Sequence, residues 1–284
     1  MTSVSKWVAG ARPRTLAAAI APVMVATAFA GSQWSPWRAL LALIVSLALQ
    51  IGVNYANDYS DGIRGTDDSR IGPMRLTASG LAKPGAVKAA AALSFLIAAC
   101  AGLALASLTT WWLILIGALA INAAWGYTGG NSPYGYKGLG EVAVFLFFGV
   151  VATVGSYFAQ TEKINLQIFI ISIPMGALAC AILAINNLRD RAQDEIVGKK
   201  TLAVRLGDKG ARRLYIALLL SAHLFALFTF EPGALLTLLA APLTWNLARG
   251  VKDGVQGADL IPYLAKTGKL QLAFALLFAL GLVI

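Results

Sequence analysis

The hydrophobic positions of this chain form long runs that are separated by short polar segments. Because a helix crosses a bilayer in roughly 20 mostly apolar residues, each run predicts one transmembrane helix. There are nine such runs, at about 15–32, 37–56, 86–106, 109–127, 140–159, 166–187, 211–230, 232–248 and 268–284. The eighth run is the least regular, since Pro242 lies inside it and Arg249 follows it. The pattern predicts an all-α, polytopic membrane bundle with residues 1–284 as a single domain.

The composition supports a membrane protein and excludes two other classes. Of 284 residues, 58% are hydrophobic and 13% are charged, about half of the ~25% that is usual in soluble domains. A soluble fold of this size could not bury so much apolar surface in one core. A chain this apolar is not intrinsically disordered either.

The basic residues indicate the orientation. The chain has 23 Lys and Arg against 13 Asp and Glu, a net charge of +10. In a soluble protein this excess would suggest a nucleic-acid partner. Here all basic residues except Arg38 and Lys163 lie in the N-terminal segment, or in the loops after even-numbered spans and the first residues of the spans that follow them. The positive-inside rule then places the N-terminus and the long loops in the cytoplasm, with the protein in the plasma membrane. The expected partner is the lipid bilayer, with no nucleic acid.

The acidic residues gather in two clusters on that same side. The first cluster follows the second span and contains Asn54, Asn57, Asp58, Asp61, Asp67 and Asp68. The second cluster follows the sixth span and contains Asn186, Asn187, Asp190, Asp194 and Glu195. Asn57 and Asp61 are four residues apart, as are Asp190 and Asp194, and residues at this spacing share a helix face. Each cluster can therefore direct two oxygen ligands to one point.

This arrangement predicts a metal–diphosphate site at the cytoplasmic side of the bundle. Neighbouring carboxylates repel each other unless a cation lies between them, and Mg²⁺ typically binds one or two carboxylates together with substrate phosphates. Basic residues that could bind phosphate oxygens accompany the acids, namely Arg64, Arg70, Arg75, Arg189, Lys199 and Lys200. Ordinary solvated loops would explain the basic residues but not the duplicated spacing of the acids.

The loop between the fourth and fifth spans adds three further candidates. Lys137 is the only basic residue there, which favours it as a phosphate ligand. Tyr134 and Tyr136 could equally be aromatic residues of the membrane interface.

These motifs resemble a known family. Asn57-Asp58-x-x-Asp61 and Asp190-x-x-x-Asp194 look like the two aspartate-rich motifs of the UbiA superfamily of intramembrane prenyltransferases. The resemblance is greater to the branch that prenylates 1,4-dihydroxy-2-naphthoate in menaquinone biosynthesis, through the segments 12–16, 70–76, 138–142 and 186–207. It runs from about residue 7 to the end of the seventh span. Where many members have a further aspartate four residues after Asp61, this chain has Gly65, followed by Asp67 and Asp68, a form shared with the naphthoate branch.

The resemblance implies a cofactor, two substrates and a set of site residues. Mg²⁺ would be held by Asn57, Asp58, Asp61, Asp67 (favoured over Asp68), Asp190 and Asp194. The catalytic residues would be Asp61, Asp190 and Lys137. The residues that bind the substrates, polyprenyl diphosphate and 1,4-dihydroxy-2-naphthoate, would be Arg64, Arg70, Arg75, Tyr134, Lys137, Asn187, Lys199 and Lys200. Of these, Arg70 and Arg75 could hold the ring carboxylate.

The implied reaction begins with ionisation of the diphosphate ester to an allylic cation inside a central apolar cavity. The ring carbon that carries the carboxylate would then attack, with loss of carbon dioxide and a proton, to give a demethylmenaquinone. One alternative is another acceptor within the superfamily: 4-hydroxybenzoate, haem, homogentisate or a lipid alcohol. Another is a secondary transporter, which the position of the acids at helix ends rather than at the midplane disfavours. Prenyl length, metal count and oligomeric state are open.

Overall fold

The computed structural model describes residues 3–67, 72 and 74–284, and these residues form helices and connecting loops without a β strand. We number the ten main helices in chain order. They are α1 (Ser3–Ala11), α2 (Ala17–Phe29), α3 (Pro36–Ile63), α4 (Pro84–Ser107), α5 (Trp112–Gly126), α6 (Gly140–Thr161), α7 (Leu166–Ile196), α8 (Leu202–Leu227), α9 (Pro232–Lys252) and α10 (Gly257–Val283).

Nine of these helices are apolar, and each overlaps one predicted span. Seven of them, α3, α4 and α6 to α10, are long and apolar enough to cross a membrane. The other two, α2 and α5, are apolar but shorter, with 13 and 15 residues. The prediction of an all-α polytopic membrane bundle is therefore confirmed.

Several helices are longer than their predicted spans, and in two of them the extension carries acidic residues. The apolar runs predicted ends near residues 56 and 187, whereas α3 continues to Ile63 and α7 to Ile196. The added turns carry Asp58 and Asp61 on α3 and Asp190 and Asp194 on α7, so these four aspartates lie on helix rather than in loops. By contrast, α8 is interrupted at Gly207, whose backbone angles (φ 67°, ψ 178°) are not helical. Only the part of α8 after this break corresponds to the predicted seventh span.

The longest helix, α7, forms the centre of the bundle. Of its most apolar 18-residue stretch, 78% is buried, against 33–50% in the other long helices. Ile168, Ile171, Met175 and Ile185 are fully buried there. Helices α2, α6, α8 and α10 pack around α7, while α3 and α4 pack against each other at one side.

A pair of glycines brings α6 and α7 close together. A Cβ atom added to Gly149 would lie 2.6 Å from the Gly176 Cα, so neither helix leaves space for a side chain at this crossing. Small residues at helix crossings allow the close backbone packing that stabilises membrane bundles. Gly149 also lies in a π-helical segment of α6, Phe145–Val151, part of which lines the cavity described below.

This crossing gives a test of the packing. Gly149→Ala places a methyl group against the α7 backbone and should cost about 1–3 kcal/mol of stability. We expect its melting temperature in detergent to fall by at least roughly 3 °C. Gly155→Ala, in the same helix, is the matched control, because a Cβ there meets nothing within 4 Å. Equal melting temperatures for the two variants would contradict the close packing.

Candidate functional site

A cavity of about 800 Å³ runs into the bundle between α3, α4, α5, α6 and α7. Asn57 and Asp61 of the first motif line its polar end, as do Asp190 and Asp194 of the second. Its deeper walls are apolar and include Leu49, Leu103, Ile121, Phe147 and Val151. The two motifs, 129 positions apart from Asp61 to Asp190, thus face one space.

Asp61 is buried and has two partners. The Tyr136 hydroxyl donates to its Oδ1 at 2.8 Å, and the Lys199 ammonium lies 3.4 Å from its Oδ2. The Lys199 Nζ also lies 4.9 Å from the centre of the Tyr136 ring. Burial, together with the negative charge of Asp61, raises the pKa of Tyr136, so its hydroxyl remains a donor at neutral pH.

Asp190 is held by the residue before it. The Arg189 guanidinium donates to both Asp190 carboxylate oxygens, at 2.8 and 2.7 Å, and also to Asn186 Oδ1 at 2.8 Å. Both side chains of this ion pair are buried, with exposures of 1% for Arg189 and 6% for Asp190. These two hydrogen bonds fix the orientation of the Asp190 carboxylate, and a planar guanidinium suits such bidentate binding.

A tight turn after α7 returns Lys199 to the cavity. The Lys199 amide donates to the Asp194 carbonyl at 2.7 Å, and Gly198 adopts the left-handed conformation (φ 75°) that this reversal requires. Lys199 therefore lines the cavity beside Asp194, whereas Lys200 is exposed and does not line it. The sequence gives no reason to prefer one of these lysines as a phosphate ligand, whereas the structure places only Lys199 at the cavity.

Two asparagines complete the polar end. The Thr128 hydroxyl donates to Asn57 Oδ1 at 2.8 Å. On the other motif, Asn187 donates to Glu141 Oε1 at 3.0 Å. Both asparagines line the cavity, and Asn57 does so from the helix face that it shares with Asp61.

Other predicted ligands lie elsewhere. Both Asp58 oxygens accept backbone N–H groups, from Leu76 at 2.8 Å and Thr77 at 2.9 Å, and Asp58 does not line the cavity. It follows Asn57 directly, and adjacent residues on a helix point about 100° apart. The Asp58 carboxylate thus ties the end of α3 to the segment that follows it.

Asp67 lies outside the cavity lining and is paired with Arg75, whose Nε is 3.1 Å from its Oδ2. Arg75 itself is buried and does line the cavity. The remaining two predictions in this segment, Arg70 as a substrate ligand and Asp68 as the alternative to Asp67, lie outside the described residues.

The loop between α5 and α6 is arranged differently from the prediction. Lys137 is exposed and does not line the cavity, while its neighbour Tyr136 contacts Asp61. Arg64 is exposed, and its guanidinium donates to the Thr128 and Gly130 carbonyls, so it holds this loop in place.

Tyr134 does line the cavity, but its hydroxyl donates to the Ala123 carbonyl at 2.8 Å. Burial raises the pKa of Tyr134 to about 12, so this hydroxyl also stays protonated at neutral pH.

Sequence reasoning left out several residues of the site. The sequence leaves Tyr136 open between a site residue and an interfacial aromatic, and Thr128 gives no signal because a lone threonine is common in loops. Arg12 and Arg14 line the cavity mouth, although they entered the sequence argument only through topology and resemblance. Their position immediately before the first apolar run is the sequence feature that could have marked them as residues of the cavity.

The donor set suits a hard cation that arrives with phosphate. Within the described part of the chain, no three His, Cys, Asp or Glu side chains are grouped closely enough to hold a metal by themselves. The cavity instead offers carboxylate oxygens from two helices, at Asp61 of α3 and at Asp190 and Asp194 of α7. Mg²⁺ commonly binds through one or two carboxylates and completes its shell with water and phosphate, so these residues fit it.

Comparison with known proteins agrees with this architecture. The sequence matches the UbiA prenyltransferase family over residues 19–257. It is 50% identical to the 1,4-dihydroxy-2-naphthoate octaprenyltransferase of Mycobacterium tuberculosis, over 98% of this chain and 97% of that protein. It is 40% identical to the Escherichia coli protein of the same name, over 97% of this chain and 94% of that protein.

The fold is similar to solved structures as well. A UbiA homologue from Archaeoglobus fulgidus, bound to GPP and Mg²⁺, superposes with a TM-score of 0.70 over 98% of this chain and 99% of that one, at 15% identity. The apo structure of a UbiA homologue from Aeropyrum pernix K1 gives a TM-score of 0.72, covering 95% of this chain and 96% of that one at 16% identity. Together with the sequence matches, this establishes that the chain belongs to the UbiA prenyltransferase family.

Proposed function

We propose that this protein transfers a polyprenyl group from polyprenyl diphosphate to 1,4-dihydroxy-2-naphthoate, with Mg²⁺, in menaquinone biosynthesis. The observation that carries the proposal is that both aspartate motifs line one cavity whose polar end continues into apolar walls. Such a cavity can hold a diphosphate at one end and a hydrocarbon chain along the other. The names of the relatives from M. tuberculosis and E. coli support the naphthoate as acceptor.

Asp61, Asp190 and Asp194 would hold the metal ion, with the side-chain oxygens of Asn57 and Asn187 close by. Mg²⁺ would supply positive charge against the negative charge that develops on the departing diphosphate. The A. fulgidus homologue bound to GPP and Mg²⁺ supports this combination of ligands.

Lys199 would bind the diphosphate directly. Its ammonium lies at the cavity beside Asp61, and no other lysine lines the cavity within the described residues. A fixed positive charge aimed at the leaving group stabilises the transition state without reorganisation. The apolar walls exclude water, which would otherwise react with the allylic cation.

The new C–C bond would join the prenyl C1 to the ring carbon that carries the carboxylate. The C1–O bond to the diphosphate breaks, and the ring recovers its aromaticity by losing carbon dioxide. Arg75, Arg12 and Arg14 line the cavity and are the arginines that could bind the ring carboxylate there. Because Arg75 is already paired with Asp67, Arg14 at the mouth is the more accessible cation.

A second proposal concerns the membrane. We infer that the protein lies in the plasma membrane with its N-terminus, the acidic motifs and the cavity mouth on the cytoplasmic side, because nearly all basic residues lie on that side. The diphosphate substrate would then enter from the cytoplasm.

The first test is the reaction itself. Purified protein in detergent or lipid should form a prenylated, decarboxylated naphthoquinol from the two substrates, and EDTA should stop the reaction until Mg²⁺ is restored. Asp61→Asn and Asp190→Asn should each lower turnover by at least roughly 10²-fold, with unchanged expression.

A competition among naphthoate, 4-hydroxybenzoate and homogentisate decides the acceptor. Preference for another acid would overturn the naphthoate assignment.

The two neighbouring lysines give a matched pair. Lys199→Gln should lower kcat by roughly 10²-fold, because it removes a positive charge from the leaving group and leaves buried Asp61 without its ion pair. Lys200→Gln and Lys137→Gln remove exposed charges outside the cavity and should change kcat less than about threefold. Mass-spectrometric product quantification over a substrate series gives these rates. An equal loss in Lys137→Gln would restore that residue to the site.

Orientation can be read by labelling exposed positions. In a Cys100→Ser, Cys180→Ser background, Lys137→Cys and Lys163→Cys place one thiol on each side of the bundle, both at exposed residues. An impermeant maleimide should label only the Lys163→Cys protein in intact cells and both proteins in lysed cells. Labelling of Lys137→Cys in intact cells would reverse the proposed topology.

A further inference from the structure

Glu141 is a buried carboxylate that the proposed reaction leaves without a role. It lies in the first turn of α6, is 7% exposed and does not line the cavity. Its Oε1 accepts a hydrogen bond from Asn187 Nδ2 at 3.0 Å. Within the described residues, its buried Oε2 has no hydrogen-bond partner. A buried carboxylate is costly to maintain, so a single hydrogen bond to an asparagine is an unusual use for it.

The partner of Glu141 is part of the site. Asn187 precedes Asp190 by three residues and Asp194 by seven on α7, so all three lie on one face of that helix. All three line the cavity. Each motif therefore has an asparagine on the cavity side of its helix, Asn57 four residues before Asp61 and Asn187 three residues before Asp190.

An asparagine side chain has two different ends. The NH₂ end donates and the carbonyl end accepts, whereas an ionised carboxylate only accepts. Glu141 must therefore take the NH₂ end, which leaves Asn187 Oδ1 on the opposite side of the amide. If the amide were flipped, two oxygen atoms would face each other at Glu141, and a donor would point at the position of a cation.

The turn that carries Glu141 is fixed in place against α7. The first turn of a helix stabilises negative charge. The Cys180 thiol donates to the Glu141 carbonyl at 3.1 Å, which ties this turn to α7. The carboxylate that orients Asn187 is thus itself anchored to the helix that carries Asn187.

We propose that Glu141 is a positioning residue that holds the Asn187 amide with its Oδ1 toward the cavity, where this oxygen serves as a ligand for the cation bound with the diphosphate. The inference rests on the proposed function for the identity of that cation. It assigns to Glu141 an indirect role, through Asn187, rather than contact with either substrate.

The test exchanges the two chemical groups. Glu141→Gln offers Asn187 a donor as well as an acceptor, so the amide is free to flip. Asn187→Asp places two carboxylates in contact. When both substitutions are combined, the amide now at position 141 donates to one oxygen of the carboxylate now at position 187. The second oxygen of that carboxylate faces the cavity as Asn187 Oδ1 did, so the hydrogen bond and the cavity-facing oxygen are both restored.

We expect each single variant to weaken Mg²⁺ binding about tenfold, and the double variant to recover to within about threefold of the parent. Binding is measured by calorimetry or thermal stabilisation with Mg²⁺ and a non-hydrolysable geranyl thiodiphosphate, and turnover is measured alongside. The control is Glu231→Gln, since Glu231 Oε1 also accepts from a side-chain amide, that of Gln167 at 3.3 Å, at the opposite end of α7. It should change neither reading.

Three results would overturn the inference. Glu141→Gln with normal Mg²⁺ affinity would show that the carboxylate does not orient the amide. A double variant whose Mg²⁺ affinity is no higher than that of Asn187→Asp alone would also contradict the inference, because the restored hydrogen bond would then have no effect on metal binding. Variants with a lower melting temperature without ligand but normal affinity would assign Glu141 a role in stability only. Parent protein that binds Mg²⁺ and the thiodiphosphate but yields no prenylated naphthoate contradicts the proposed function and leaves this inference standing.

Discussion

Negative charge inside an apolar bundle has to be balanced, and the rest of this site depends on how that is done. The side chains of Asp61 and Asp190 are only 3% and 6% exposed. Isolated carboxylates so far from water would be strongly destabilising. Each has a cation beside it, Lys199 for Asp61 and Arg189 for Asp190. Both cations come from α7 or from the turn that follows it. This part of the chain therefore balances the charge of Asp61 on α3 as well as that of Asp190.

This dependence explains why three separate segments meet at the cavity mouth. The turn after α7 brings Lys199 to α3, and the Lys200 amide donates to the Tyr136 carbonyl at 3.0 Å. Tyr136 in turn donates to Asp61, and Arg64 at the end of α3 binds the backbone of the same α5–α6 loop. Each segment is therefore held by the other two, and displacement of any one would expose a buried carboxylate to an unbalanced environment.

The sequence allowed the helices and the acidic face to be predicted, because both follow from local periodicity. In the described part of the chain, nine apolar helices correspond to the nine apolar runs, and the four-residue spacing of Asn57 and Asp61 puts both on the cavity side of α3. Local periodicity does not say where a loop residue points. Lys137 and Tyr136 are adjacent, and only the packing of their loop against α3 decides which of them reaches Asp61.

The same limit applies to charge. Asp58, in the middle of the first motif, satisfies backbone N–H groups of the segment after α3, and Arg64 satisfies carbonyls of another loop. The presence of a residue in a motif indicates that it matters. It does not show whether the side chain binds a substrate or metal ion, or instead holds a neighbouring segment in place. Tertiary hydrogen bonds make that distinction, and they join residues up to 138 positions apart in the chain.

The resting partners of the acids also bear on how a metal ion could enter. Both Asp190 oxygens already accept from Arg189, and the Asp61 oxygens face Tyr136 and Lys199. A free divalent ion would have to replace these contacts while adding charge beside two cations. A diphosphate that enters with the ion offers Lys199 new anionic oxygens, so the ammonium can leave Asp61 without losing a partner. Joint binding of metal and diphosphate would therefore leave Lys199 with an anionic partner at each stage. It would also suit a cavity lined by the acids of both motifs in which, among the residues that the structure describes, no three acids, histidines or cysteines form a metal cluster by themselves.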